Sequence, residues 1–198
     1  MKLPSSIAIN NLLADAVSTN DIPTLHSLLD DQDRQLLSQI AQNGTPETAA
    51  YLLSRYPIPK DFSQDSPSNR ILNPTQYLAC ESARLGNTAV FRYLNNQYPS
   101  LLSTHNRCVE SILVNAIDGG VGIWKIILEH HPSWKNHEFS GHKGCVLEFA
   151  LELRNKDVLE FLLREGADTD RAGDPLLELA RRRGAESEIL ELIKKYSV

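Results

Sequence analysis

One pattern returns along the chain: a small or apolar pair, then Gly or Asn, then an apolar cluster ending in two adjacent aliphatic residues or a near equivalent. It reads DAVSTNDIPTLHSLL from Asp15, QIAQNGTPETAAYLL from Gln39, ESARLGNTAVFRYLN from Glu81, VNAIDGGVGIWKIIL from Val114 and FALELRNKDVLEFLL from Phe149, and LARRRGAESEILELI from Leu179 closes the series. Anchored on the residue expected to end each first helix, namely Asn20, Gly44, Gly86, Gly119, Arg154 and Gly184, the intervals are 24, 42, 33, 35 and 30, with a mean near 33. A module of that length cannot bury its own apolar face, so recurrence at this period demands that neighbours cover one another.

Each module reads as two antiparallel helices. In the first, Ala16, Ala41, Ala83, Ala116 and Ala150 leave room for close helix approach, and the Gly or Asn that follows supplies a left-handed helix end. In the second, apolar residues recur at helical spacing, as with Val158, Leu159, Leu162 and Leu163. The predicted fold is all-α: a solenoid of about six stacked helix-turn-helix units, approximately 5–33, 34–57, 75–100, 107–132, 145–173 and 174–198, forming one domain with capping units at each end. The compressed first interval and enlarged second leave extra chain at 58–74, rich in Pro, Ser and Asp, which reads as a long exposed loop.

These residues resemble the ankyrin repeat family. The unit ending FLLREGADTD places Leu162, Leu163, Gly166, Ala167 and Asp168 where that family carries its double leucine and Gly-Ala-Asp turn, and DPLLELARRRG from Asp174 is similar to its T-P-L-H-x-A start through Pro175, Leu176 or Leu177, and Ala180. Asp174 and Glu178 depart from the Thr and His of that pattern, and the second to fourth units rewrite the turn as Arg-Tyr-Pro, Gln-Tyr-Pro and His-His-Pro. The resemblance spans nearly the whole chain. It implies a non-catalytic module that binds a partner protein or peptide through a concave groove and projecting turns.

In that register the groove is lined by the residues five before each anchor and those three or four positions later, including Gln39, Glu81, Arg84, Phe149 and Glu152. Its N-terminal half is acidic and polar, its C-terminal half more apolar, which suits an amphipathic peptide or helix. The other reading is an enzyme or small-molecule binder on the same scaffold, possibly biosynthetic, with Asp15 and Glu81 as acid or base, Arg84 and Arg107 as anion clamps, and His137 as a further catalytic candidate. Water-facing carboxylates without chemistry fit the same pattern.

The densest set of donors is EHHPSWKNHEFSGHKGC, where imidazoles and a thiolate offer ligands suited to zinc, the candidates being His137, His142 and Cys145. The spacing matches no established zinc finger, so the favoured reading is an exposed recognition finger that uses Trp134, His137, Phe139 and His142. No cofactor is expected: GxxxxGK[ST], HExxH, GxSxG and CxxC are all missing, and Gly119-Gly120-Val121-Gly122 falls where a helix-ending turn is needed.

Composition bounds the partners. With 20 Lys plus Arg against 25 Asp plus Glu, the net charge of -5 disfavours nucleic acid and anionic membranes, and Arg181-Arg182-Arg183 reads as a solvated helix face. Three widely spaced cysteines and an N-terminal stretch interrupted by Asn10 and Asn11 point to an intracellular, reducing compartment, cytoplasmic or nuclear. The Asn43-Gly44-Thr45 triplet matches a glycosylation sequon but is expected to be a helix corner.

Overall fold

The computed structural model describes residues 16–17, 19, 33–55, 74–103, 107–139, 144–170 and 175–197. Asn20 and residues 58–73 of the expected loop lie outside these, while Pro74 begins a helix. The described residues are all-helical: α1 (Asp33–Asn43), α2 (Pro46–Leu53), α3 (Pro74–Arg84), α4 (Thr88–Gln97), α5 (Arg107–Gly119), α6 (Val121–His130), α7 (Val146–Glu152), α8 (Lys156–Arg164), α9 (Leu176–Arg182) and α10 (Ser187–Tyr196). Two 3₁₀ turns, Pro99–Leu102 and Pro132–Asn136, and one isolated antiparallel bridge between Glu138 and Cys145 complete the regular structure. No described helix is long and apolar enough to cross a membrane.

The chain divides into two compact units, residues 1–112 and 113–198, with the division inside α5. In the first, α1 packs on α3, α2 on α4, and α3 on α4. In the second, α7 pairs with α8 and α9 with α10, while α9 packs on α7, and α8 lies between α6 and α10. Within each unit, therefore, first helices neighbour first helices and second helices neighbour second helices. Ala16, Ala41, Ala83, Ala116, Ala150 and Ala180 are all buried, as close approach requires.

The turns are built by one rule. After α3, the Gly86 N–H donates to Ala83 O and the Asn87 N–H to Ser82 O, with Gly86 left-handed at φ 72°. After α7, Arg154 and Asn155 donate to Leu151 and Ala150 in the same way, and after α9, Gly184 and Ala185 donate to Arg181 and Ala180. This double bond around a left-handed residue is the Schellman helix end. The expected anchors Gly86, Arg154 and Gly184 are those left-handed residues, with φ of 72°, 54° and 65°. Gly166, with φ 76°, ends α8 likewise.

Two anchors behave differently. Gly119 is helical, and the left-handed residue is Gly120 (φ 85°), because α5 runs one residue further before its chain reverses. Gly44 is required by proximity instead: a Cβ there would come 2.6 Å from Ile40 O. The sequon is the expected corner, since Asn43 ends α1 and Thr45 caps α2, accepting from the Thr48 N–H at 3.4 Å while Thr48 Oγ1 accepts from the Thr45 N–H at 2.9 Å.

Candidate functional site

Four of the first helices share one exposure pattern, and α5, counted from Gly119, departs from it, since Ile117, two residues earlier, is buried. The residues five before the turn anchors, Gln39, Glu81, Val114, Phe149 and Leu179, are each half-buried. The residues two before Gly44, Gly86, Arg154 and Gly184, namely Gln42, Arg84, Glu152 and Arg182, are each exposed. On α3 the guanidinium of Arg84 donates to both carboxylate oxygens of Glu81, at 2.7 and 3.4 Å. In the second unit Glu152 pairs with Arg183 at 2.5 Å, bridging α7 to the turn after α9. Both pairs reach solvent, where such contacts contribute about 0–1 kcal/mol each, so they organise a polar surface more than they stabilise it.

Among the catalytic candidates the structure brings Glu81 together with Arg84. Asp15 and the side chain of Arg107 lie outside the described residues. His137 belongs to the second unit and is enclosed by aromatic rings.

That enclosure corrects the recognition-finger reading of the 130–145 segment. Trp134, His137 and Phe139 are only 4%, 6% and 5% exposed, so they are interior residues and not surface anchors. Ring contacts run edge to face from Trp134 to His137 (4.8 Å), His137 to Phe139 (5.0 Å) and Phe139 to Phe149 (4.6 Å). The packing supplies the reason: Phe149 on α7 offers an apolar surface to Phe139, and the chain of rings from there through His137 to Trp134 buries more than any of them could alone. The segment is also tied down by polar contacts. Lys135 Nζ donates to Glu165 O at the end of α8, where a cation meets the negative end of the helix, and Asn136 Oδ1 accepts the Asp168 N–H at 2.8 Å. The Phe139 N–H donates to Gly144 O and the Val146 N–H to His137 O, closing a short hairpin.

His142 lies outside the described residues. Cys145 is buried within the hairpin, opposite Glu138; burial pushes its thiol up, opposed by backbone N–H groups at the start of α7. Among the described residues no three His, Cys, Asp or Glu side chains are gathered to hold a metal ion. Beside the hairpin, burial and the neighbouring His130 hold His131 below the usual imidazole range.

Two residues not singled out from sequence join successive repeats. Asn87 Oδ1 accepts the Val90 N–H at 3.1 Å, capping α4, while its Nδ2 donates to Gly44 O at 3.0 Å in the turn one repeat earlier. Asn155 repeats this in the second unit, capping α8 through the Val158 N–H and donating to Ile117 O. The signal was available: both stand one residue after their anchors. Comparison with protein-family models, with characterised proteins and with solved structures finds no match for this chain.

Proposed function

We propose that the helix pairs are ankyrin-like repeats stacked in a row, and that the chain is a non-catalytic module binding a partner protein or peptide through the exposed edge of its first helices. The observation that carries the reading is the shared register: α1, α3, α7 and α9 are each half-buried five residues before the turn residue and exposed two before it, and α5, whose turn falls one residue later at Gly120, matches with half-buried Asn115 and exposed Asp118. A structural stack needs the buried alanines at fixed positions. Exposed Gln42 and Arg84 in the first unit, and exposed Glu152 and Arg182 in the second, give each unit a polar and charged edge suited to recognising a segment of another chain.

The doubled role of Asn87 and Asn155 supports the stacking half of the proposal, because each ties its own hairpin to the one before it. The partner proposed is intracellular and is neither nucleic acid nor membrane, following the acidic balance of the chain.

Charge reversal tests the surface. Arg84→Glu combined with Glu152→Arg changes two solvent-facing positions and leaves the alanine core intact. Native extract passed over immobilised wild type and variant, with retained proteins and small molecules quantified by mass spectrometry, is expected to show a protein held by the wild type and reduced about tenfold or more with the variant. Equal retention by two variants of matched thermal stability, or retention of a small molecule alone, overturns the proposal.

A further inference from the structure

Asn43 is the one asparagine in the chain that is followed by glycine. It ends α1 with its side chain exposed, and Gly44 after it is buried. An Asn-Gly pair is the setting in which a side-chain amide is most open to attack by its own backbone, because glycine has no Cβ to obstruct the nitrogen that follows. Here the glycine is fixed by packing: a Cβ at 44 would come 2.6 Å from Ile40 O and 2.8 Å from Ile40 Cα. The contact that demands glycine thus leaves Asn43 beside the neighbour that makes it chemically labile.

We propose that Asn43 is a site of spontaneous deamidation, held in check by the helix end around it, and that its conversion loosens the tie between the α1–α2 corner and α4. The Gly44 nitrogen gives up its proton and attacks the side-chain carbonyl carbon of Asn43. A new C–N bond closes a cyclic imide, the bond to the side-chain nitrogen breaks, and that nitrogen takes up the proton and leaves as ammonia. Water then adds to one of the imide carbonyls and opens the ring, giving aspartate by one route and isoaspartate by the other. The sum is water in and ammonia out, with no change of oxidation state and no further reactant.

Two hydrogen bonds set the pace. The Gly44 N–H donates to Ile40 O at 2.9 Å, so the attacking nitrogen is occupied and the last turn of α1 must open before it can reach the amide. Gly44 O accepts from Asn87 Nδ2 at 3.0 Å, which anchors the same residue to the cap of α4. Opening a helix end takes less free energy than global unfolding, so the reaction proceeds slowly in the folded chain. Its products do not suit the turn. Isoaspartate adds a methylene to the main chain between positions 43 and 44, where Ile40 already presses on Gly44, and displaces Gly44 O from Asn87. Aspartate puts a negative charge on the last residue of α1, against the helix dipole.

The test incubates the full-length protein near neutral pH, folded and in urea, and maps peptides for isoaspartate and for the mass gained when water replaces ammonia. Conversion of Asn43 is expected in the folded protein at a rate about tenfold or more below that in urea. Asn87→Ala, which frees Gly44 O, is expected to convert faster than wild type under native conditions. Aged wild type is expected to show a lower urea midpoint, whereas Asn43→Gln aged alongside keeps its own, since glutamine must close a larger ring and does so far more slowly. Equal rates in folded and unfolded chains, an unchanged native rate in Asn87→Ala, an intact Asn43 after prolonged native incubation, or an unchanged midpoint once Asn43 has converted would each overturn the proposal. Should Asn87→Ala fail to fold, Asn87→Asp, which keeps the cap on α4, takes its place.

Discussion

Asn95 occupies the second of two adjacent positions that hold Leu53 and Leu163 in other repeats, and like them it is buried, at 3% exposure. Its Oδ1 has no hydrogen-bond partner. A buried acceptor left unmet costs about 1–3 kcal/mol. Asn95→Leu is therefore expected to stabilise the protein by about 1–2 kcal/mol, read as a higher midpoint in urea titration at unchanged m-value. A loss of stability would mean that the amide has a contact of its own. Arg154 is another local exception, standing left-handed where Gly86 and Gly184 adopt the same geometry without a Cβ to strain.

At the level of the helical hairpin, the turn asparagines deserve separate dissection because each side chain does two jobs. Asn87→Asp retains the oxygen that caps α4 and removes the donor to Gly44 O, whereas Asn87→Ala removes both. Loss of a cap costs about 1 kcal/mol, so the alanine variant is expected to be destabilised by about 1–2 kcal/mol and the aspartate variant by less, in denaturant titrations of both. Equal effects would show that the bond to the preceding turn carries the whole contribution. Hairpins of this kind were legible from sequence because alanine spacing and helix-ending residues depend on local geometry: Gly86, Arg154 and Gly184 fall where the period puts them, and Gly119 missed by one residue. The aromatic cluster was not. Whether Trp134 and Phe139 face solvent depends on Phe149, ten or more positions along the chain, and nothing in the composition of a turn reports that contact. Nor did sequence identify Asn95 as buried, since a polar residue inside an apolar pattern reads as a break in the pattern.

For the molecule, stability is expected to be shared between neighbours and not held in one centre. In the second unit α9 packs on α7 and α10 on α8, burying Leu159 and Leu163. Removing residues from Asp174 onward should uncover that face, and the truncated protein is expected to aggregate or to unfold at lower temperature, as judged by light scattering and thermal denaturation. A soluble monomer of unchanged stability would argue that α9 and α10 are an accessory and not part of the stack.

The asparagine joint spans 43 positions from Asn87 to Gly44 but 38 from Asn155 to Ile117, and forms in both cases. The turn asparagine thus finds a carbonyl at the end of the preceding first helix in both places, at Gly44 after α1 and at Ile117 within α5, across different lengths of chain. Evolution, or a protein engineer, can lengthen the intervening stretch or graft foreign sequence into it without reworking the seam.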